Sequence, residues 1–597
     1  MDELTKKLIV IITTIFLAFS AISIRFFKLQ VIDRSEILQK AQTIRTRVKF
    51  YPPKRGEIYT SEGVVVAGNT KSVDIIVYPL EIKGKVPEEI YEIIDDPEII
   101  DELNRKVAYY PIPIKTDVSY DELAETLPIF PSIPFIQIET VTKRFYPLGE
   151  FASHIIGYVK LENIYEYIGV KGVEKIYDDV LKGEPSKKIV EINALGKEVE
   201  VVKEEEGEKG KPIWLTIRYE LQKSAEELLK DKEGAIVVIN PYNGEILALA
   251  SSPQFDPNVF GRKVEKQRWI EYLVDPRRPL INRAIAGEYH PGSTFKLIVA
   301  IAGLEEKVIT PDFKVTCRGK FYFGKHEHRC WKKEGHGTVD LFNAIVKSCD
   351  VFFYTLGLKL GVDKIEKWAK KFGLGRKTGI DLDFEQEGLI PSREWKQKVL
   401  KDKWYDGENI SLAIGQGYTT VTAVQMARFV SAIVNGGYLV TPHVVKKVDK
   451  NELEFPKEKI DVSEETLEFI KNAMLGVVEY GTASAHKIQG VKYGGKTGTA
   501  QVASFRALER ILGKPADKIK DEEIPKQFRD HAWFVAYFPY ENPEIVISVV
   551  VEHCGAGSKC AAPLAKKIIE KYIQMKNQEG IPQKVEIPRK IKTIITE

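Results

Sequence analysis

Gly234-Ala-Ile-Val-Val-Ile-Asn-Pro-Tyr-Asn-Gly-Glu-Ile-Leu-Ala-Leu-Ala250 is two apolar runs around a turn. Asn243-Gly244 stands in the hairpin position, so residues 235–239 and 246–250 read as an antiparallel strand pair. Far downstream, His531-Ala-Trp-Phe-Val-Ala-Tyr537 and Ile545-Val-Ile-Ser-Val-Val-Val551 make a second such pair. Between them lie helical stretches at 293–304, 341–358, 362–372, 422–435 and 464–479. Residues 563–576 read as a last helix with Pro563 in its first turn, where proline is tolerated. Strands at both ends with helices between predict an α/β (α+β) domain. Its antiparallel sheet is closed by the first and last segments and flanked by helices.

At 597 residues the chain is too long for one core, so other domains precede this one. Residues 35–48 read as a helix stopped by Pro52-Pro53. Runs at 56–59, 63–67 and 73–78 are β-branched and bounded by Gly and Asn, which predicts short strands. Residues 85–127 mix acidic helical stretches with a break at Pro111-Ile-Pro113 and read as an elaborated lobe. A helix over 170–181, a charged hairpin or linker at 204–211 and an extended tail after Lys576 complete the outline.

Leu8 to Ile24 carries no charge and meets the roughly 17–25 apolar residues a helix needs to cross a bilayer. A cleaved signal peptide is the alternative, but Arg25-Phe-Phe-Lys28 follows the run instead of a small-x-small site, which favours an anchor. Lys6 and Lys7 precede the run, and Arg25, Lys28 and Arg34 follow it, so flanking charge does not orient it. A net charge of +3, with both signs interspersed, gives no case for nucleic acid.

Three motifs carry chemistry. Ser293-Thr-Phe-Lys296 follows Pro291-Gly292, which puts a hydroxyl at a helix start and a lysine one turn on. Serine needs a base to become a nucleophile, and lysine serves only when neutral; Lys496 is the expected cation that depresses Lys296. Ser348-Cys-Asp350 reads as a mid-helix position whose hydroxyl can pass a proton between Lys296, Lys496 and a leaving amine. Lys496-Thr-Gly-Thr499 suits a substrate carboxylate, held by Lys496, Thr497 and Thr499, with Gly498 allowing a substrate to lie along a strand edge. The N–H groups of Ser293 and Thr499 are candidate oxyanion donors.

Ser-x-x-Lys, a Ser-x-Asn-like triplet and Lys-Thr-Gly in this order resemble the penicillin-binding serine acyltransferases. Arg55-Gly-Glu-Ile-Tyr59, Arg144-Phe-Tyr-Pro147 and Gly169-Val-Lys-Gly-Val-Glu174 resemble the motifs of the class B pedestal, and Gly415-Gln-Gly417 a segment lining the family's active site. The resemblance implies a stub and anchor at 1–28, a mainly β pedestal at 29–225, a transpeptidase domain at 226–576 and a tail at 577–597. It implies a peptidoglycan D,D-transpeptidase, needing no cofactor for acyl transfer and inhibited covalently by β-lactams. Ser293, Lys296, Ser348 and Lys496 would be catalytic, and Asp350, Thr497, Gly498 and Thr499 would bind substrate. It further implies a single pass through the bacterial cytoplasmic membrane, an extracytoplasmic body, stem peptides as substrates and a SEDS-type glycosyltransferase partner. Asp350 replaces the usual Asn, and the long charged insertion 503–530 follows the third motif; both resemble the elongation branch, penicillin-binding protein 2. A division-type enzyme and a membrane-bound β-lactam sensor without turnover are the alternatives.

The chain has five cysteines, an odd number that argues against a complete disulfide framework. Cys317, Cys330, His336 and Cys349 lie between the first two motifs, and thiolate and imidazole suit tetrahedral zinc. A zinc site there also resembles one in some penicillin-binding proteins 2. Free thiols or a Cys317–Cys330 disulfide are the alternatives, and His326 or His328 can stand in for one ligand. Cys554 and Cys560 can close a Gly-rich loop as a disulfide.

Overall fold

The structure is a computed structural model. It describes residues 2–35, 46–51, 53–77 and 136–578, apart from 164–165, 193–197, 262–265, 516–517 and 521–522, with 112–118 and scattered residues between 78 and 135. The tail beyond 578 and most of the lobe at 85–127 therefore lie outside the described residues, as do 36–45 of the helix expected over 35–48. The end of that stretch is not helical, because Thr46–Tyr51 is a strand paired with Ser186–Ile192.

Glu3–Phe27 is one α-helix, prolonged by a π-helical turn over Lys28–Ile32. Its apolar side chains are exposed along its whole length, and it is the one described helix long and apolar enough to cross a membrane. Thr13 and Thr14 each donate to the carbonyl four residues back, at 2.7 Å, so neither hydroxyl is left bare on the apolar face.

The N-terminal region is mainly β. Val65–Val77 is a single long strand, not the two short ones expected, because Ile136–Phe145 pairs with it without a break from Gly68↔Phe145 to Val77↔Ile136. Pairing along the whole ladder overrides the break that Gly68-Asn69 signals locally. Ile112–Lys115 pairs on the other edge of that strand, with a register shift that admits Pro113. An edge strand tolerates the missing N–H, so proline there marks a strand and not a gap. Ile213–Leu215 joins this sheet parallel to Ile58–Tyr59 and antiparallel to Val445–Val448. The catalytic half of the sequence thus lends the N-terminal sheet an edge.

Residues 170–181 form two short helices, Gly172–Ile176 and Asp178–Leu181, on either side of Tyr177. The first carries Glu174, which binds Arg55 Nε and Arg144 Nε at 2.6 Å each and accepts from Tyr146 Oη at 3.2 Å. Arg55 also reaches Asp178 at 2.6 Å, and Arg144 donates to Gly56 O at 2.8 Å. Three distant segments therefore meet on one fully buried carboxylate.

The C-terminal region is built as expected around a five-stranded antiparallel sheet, in the order Ile246–Ser252, Gly234–Ile239, Ile545–Val551, His531–Phe538, Gly494–Ala500. The helix Ala423–Val434 is wholly buried, and Thr422 and Gln425 form a capping box at its start. Asp350–Lys371 runs through the helical layer and kinks at Gly361, whose φ is 72°. Cys554 and Cys560 are disulfide-bonded.

The helix Tyr219–Leu229 meets the N-terminal region through half-buried Glu226, which accepts from Ala152 N and Gln222 Nε2 at 2.8 Å each. Burial pushes this carboxyl up to about 7, against those hydrogen bonds. The folded state then binds more protons than the unfolded chain between pH 4.5 and 7. Stability from this group is complete below about 4.5 and is lost as pH rises to about 7, an effect on the order of 1–2 kcal/mol once partial exposure is allowed for. Urea midpoints measured from pH 4.5 to 7.5 will show this slope, and Glu226→Gln will flatten it.

Candidate active site

Ser293 lies in a 3₁₀ turn, Gly292–Thr294, immediately ahead of the helix Lys296–Glu305. The turn is fixed by Gly292, which has φ +54° and packs on the edge strand, where a Cβ would meet Thr499 O at 2.4 Å. Gly292 N donates to Gly415 O at 3.0 Å, so the Gly415-Gln-Gly417 segment buttresses the Ser293 turn from the other side. Gln416 Nε2 reaches Thr499 O at 3.3 Å. The Ser293 hydroxyl has no hydrogen-bond partner among the described residues.

The second motif is not mid-helix. Leu341–Val346 ends there and Asp350–Lys371 begins. Cys349 N donates to Ala344 O at 2.9 Å and Ser348 N to Ile345 O at 3.1 Å, the paired bonds of a Schellman stop. Ser348 occupies the left-handed position, φ +53°, that glycine usually takes. A serine there conceals the break from a reading based on helix punctuation. The turn has a purpose, because it aims the Ser348 hydroxyl between two lysines.

Lys496 Nζ lies 2.9 Å from Ser348 Oγ and 3.0 Å from Thr497 O. Lys296 Nζ lies 3.3 Å from Ser348 Oγ, 3.0 Å from Ser348 O and 2.6 Å from Asp350 Oδ1. Both lysines are fully buried. Three acceptors around Lys296, one of them a carboxylate, match the three donors of an ammonium. Among the described residues Lys496 has no carboxylate partner within ion-pair distance. Burial first, and the neighbouring Lys296 second, push it well below the usual lysine range. Which amine Asp350 faces is not readable from the sequence.

Asp350 Oδ1 holds Lys296, and its Oδ2 accepts from Trp331 N at 2.9 Å. In the third motif, Gly498 makes room for protein: a Cβ there would come within 2.9–3.0 Å of Thr294, Trp533 and Pro291 O. Thr497 Oγ1 lies 2.7 Å from Thr482 Oγ1, and Thr499 Oγ1 faces Gly557 N at 3.4 Å. Thr482 and Trp331 were not foreseen. Nothing in the sequence marks Thr482; Trp331 was marked only by standing next to Cys330.

Cys317, Cys330, His336 and Cys349 converge, with one ligand atom of each lying within 4.8 Å of the others. The three thiols are free, which removes a Cys317–Cys330 disulfide. His336 Nδ1 is 3.7 Å from Cys317 Sγ and 3.5 Å from Cys330 Sγ. A tetrahedron with Zn–S about 2.3 Å and Zn–N about 2.0–2.1 Å has edges of roughly 3.5–3.8 Å, and both His336–thiol separations fall in that range, so the donor set suits the ion. A hydrogen bond between the two thiols draws Cys330 down and pushes Cys349 up. His326 and His328 sit on the hairpin 320–329, and His328 packs on Tyr354 instead.

Two family models match the chain: the penicillin-binding protein dimerisation domain over residues 50–215 and the penicillin binding protein transpeptidase domain over 234–570. The peptidoglycan D,D-transpeptidase MrdA of Haemophilus influenzae is 33% identical over 585 residues, covering 92% of this chain and 89% of the relative. That of Escherichia coli is 31% identical, covering 93% and 92%. Among solved structures, Helicobacter pylori PBP2 in complex with MreC superposes with a TM-score of 0.75 at 28% identity, over 89% of this chain and 99% of that one. Pseudomonas aeruginosa PBP2 in complex with WCK 5153 superposes with a TM-score of 0.65 at 30% identity, over 88% and 96%. A third, titled "Structural coordination of polymerization and crosslinking by a peptidoglycan synthase complex", has a TM-score of 0.70 at 27% identity and covers 98% of this chain and 100% of that one. On this coverage the chain belongs to the class B penicillin-binding proteins, the family that joins a dimerisation domain to a penicillin-binding transpeptidase domain.

Proposed function

We propose that the protein is an elongation-type peptidoglycan D,D-transpeptidase that works by a serine acyl-enzyme. The observation that carries the catalytic reading is Ser348 Oγ lying within 3.3 Å of both Lys296 Nζ and Lys496 Nζ. Two buried ammonium groups sharing one hydroxyl repel each other, so the pair holds one proton at rest, on Lys296 beside Asp350. Passage of that proton through Ser348 Oγ to Lys496 leaves Lys296 neutral. Lys296 then takes the Ser293 proton as Oγ attacks the penultimate D-alanine carbonyl. The Ser293 and Thr499 N–H groups receive the developing oxyanion. The C–N bond to the terminal D-alanine breaks, and its nitrogen collects a proton through Ser348. An amine of a second stem peptide displaces the serine by the reverse steps. Lys496 is fully buried, so direct contact with the substrate carboxylate falls to the Thr497 and Thr499 hydroxyls.

Intact-mass analysis after benzylpenicillin treatment tests this. One adduct per chain on the peptide containing Ser293 is expected; no adduct, or one elsewhere, refutes it.

Zinc held by Cys317, Cys330, His336 and Cys349 belongs to the same proposal. The ion would fasten the hairpin at 320–329 to the second motif and takes no part in acyl transfer. Elemental analysis should give one zinc per chain, and chelation should lower the melting temperature by several degrees; metal-free protein with unchanged stability would end the idea.

The helix Glu3–Phe27 fits a single-pass anchor. We place the body outside the cytoplasmic membrane, where stem peptides and β-lactams meet it, beside a SEDS-type glycosyltransferase. The relative solved in a synthase complex that coordinates polymerization and crosslinking supports a polymerising partner.

A further inference from the structure

We infer that Trp331 is a positioning residue for the proton relay, and that its indole N–H holds Ser348 in the conformation that bridges the two lysines. This rests on the acyl-enzyme reading above.

A serine at φ +53° is sterically disfavoured, and a residue stays in that region only where its surroundings hold it there. The Schellman bonds satisfy the carbonyls of Ala344 and Ile345. They leave the carbonyls of Lys347 and Ser348, at the end of the same helix, to find other donors. Trp331 Nε1 supplies one: it lies 3.1 Å from Lys347 O and 3.1 Å from Ser348 O, a single N–H shared between the two. Lys296 Nζ, at 3.0 Å, is the other donor to Ser348 O. The main-chain N–H of Trp331 meanwhile holds Asp350 Oδ2, whose other oxygen holds Lys296.

One residue thus grips the second motif at both ends, on either side of Cys349. Trp331 is itself fixed by its neighbours, since it follows the buried Cys330 and packs against His336 with ring centroids 5.3 Å apart. The residue is nevertheless 59% exposed. An apolar ring held at the surface by its N–H is poorly explained by core packing. It is explained if the N–H is the functional group.

The consequence is geometric. Without the indole N–H, the Lys347–Ser348 turn loses a donor to both carbonyls and can relax from the left-handed region. Ser348 Oγ then spends less time within reach of both amines. Acylation slows, while the groups that recognise the ligand, Thr497 and Thr499, keep their places on the edge strand.

The test is the kinetics of acylation by benzylpenicillin in the full chain, resolved into the dissociation constant of the encounter complex and the acylation rate constant. Trp331→Phe removes the indole N–H and keeps the main-chain N–H that holds Asp350. Replacement by 3-benzothienylalanine keeps the whole ring shape and removes only the donor. Loss of one shared hydrogen bond predicts that both variants acylate about five- to tenfold more slowly, with the dissociation constant within twofold of the parent. An unchanged rate constant in the benzothienyl variant overturns the inference. So does a weaker dissociation constant with an unchanged rate, which would make Trp331 a ligand contact, or a slowing confined to Trp331→Phe, which would make it a packing residue. The parent chain run alongside keeps the two readings apart: if it is not acylated at Ser293, the acyl-enzyme reading fails; if it is, only the role of Trp331 is at issue.

Discussion

Ser293→Ala will leave the purified chain unlabelled by a fluorescent penicillin under conditions where the parent is labelled to completion. In the proposed mechanism every other group acts on a proton, a carboxylate or an oxyanion, and the Ser293 oxygen forms the ester bond. Its removal does not weaken acylation by degrees, and a loss of more than about 10³-fold is expected. The fold should be indifferent to the change. Ser293 is half-buried, its hydroxyl supports no hydrogen bond among the described residues, and the turn is held by Gly292 and by the carbonyl of Gly415. Unchanged melting with abolished labelling is therefore the expected pair of results. Persistent labelling would move the nucleophile elsewhere.

Glu174→Gln will produce a large loss of stability. The carboxylate is fully buried, and burial alone would raise its pKa. The guanidiniums of Arg144 and Arg55, each 2.6 Å away, overcome that and hold it below the usual range. The amide keeps the shape but leaves two buried cations with less than their compensation. Arg55 retains Asp178, whereas Arg144 retains only backbone carbonyls and has one terminal nitrogen already without a partner. Breaking a buried ion pair in this way costs about 3–5 kcal/mol. A fall of that size in the unfolding free energy, read from urea denaturation, is expected; a change under about 1 kcal/mol would mean that the network sets geometry and not stability. The sign with pH also follows. A depressed carboxylate contributes stability above its ordinary pKa and loses it as pH falls through the lower folded value, so the parent should lose this stability in acid and the variant should not.

The catalytic parts are legible in the amino-acid sequence because acyl transfer by serine needs few residue types in fixed local spacings. Ser293 and Lys296 are one turn apart, and Lys496-Thr-Gly-Thr499 is contiguous. The sheet is legible because its strands are unbroken apolar runs, with period and length that admit little else. The long strand Val65–Val77 is not, because Gly68 and Asn69 signal a break locally, while the ladder to Ile136–Phe145 is a long-range fact. Pro113 misleads in the same way, since proline reads as an interruption unless the strand is known to lie at an edge.

The residue types and their order along the chain determined the reaction, the fold class and the four cysteine and histidine side chains that converge beside the second motif. Which lysine faces Asp350, that Ser348 sits left-handed at a helix stop, and that Trp331 reaches across to hold it were decided only by the tertiary structure. Local spacing fixes which groups are available. The charge on each of two buried amines depends on the carboxylate and the neighbouring cation that folding brings within a few ångströms, and no stretch of sequence contains that distance.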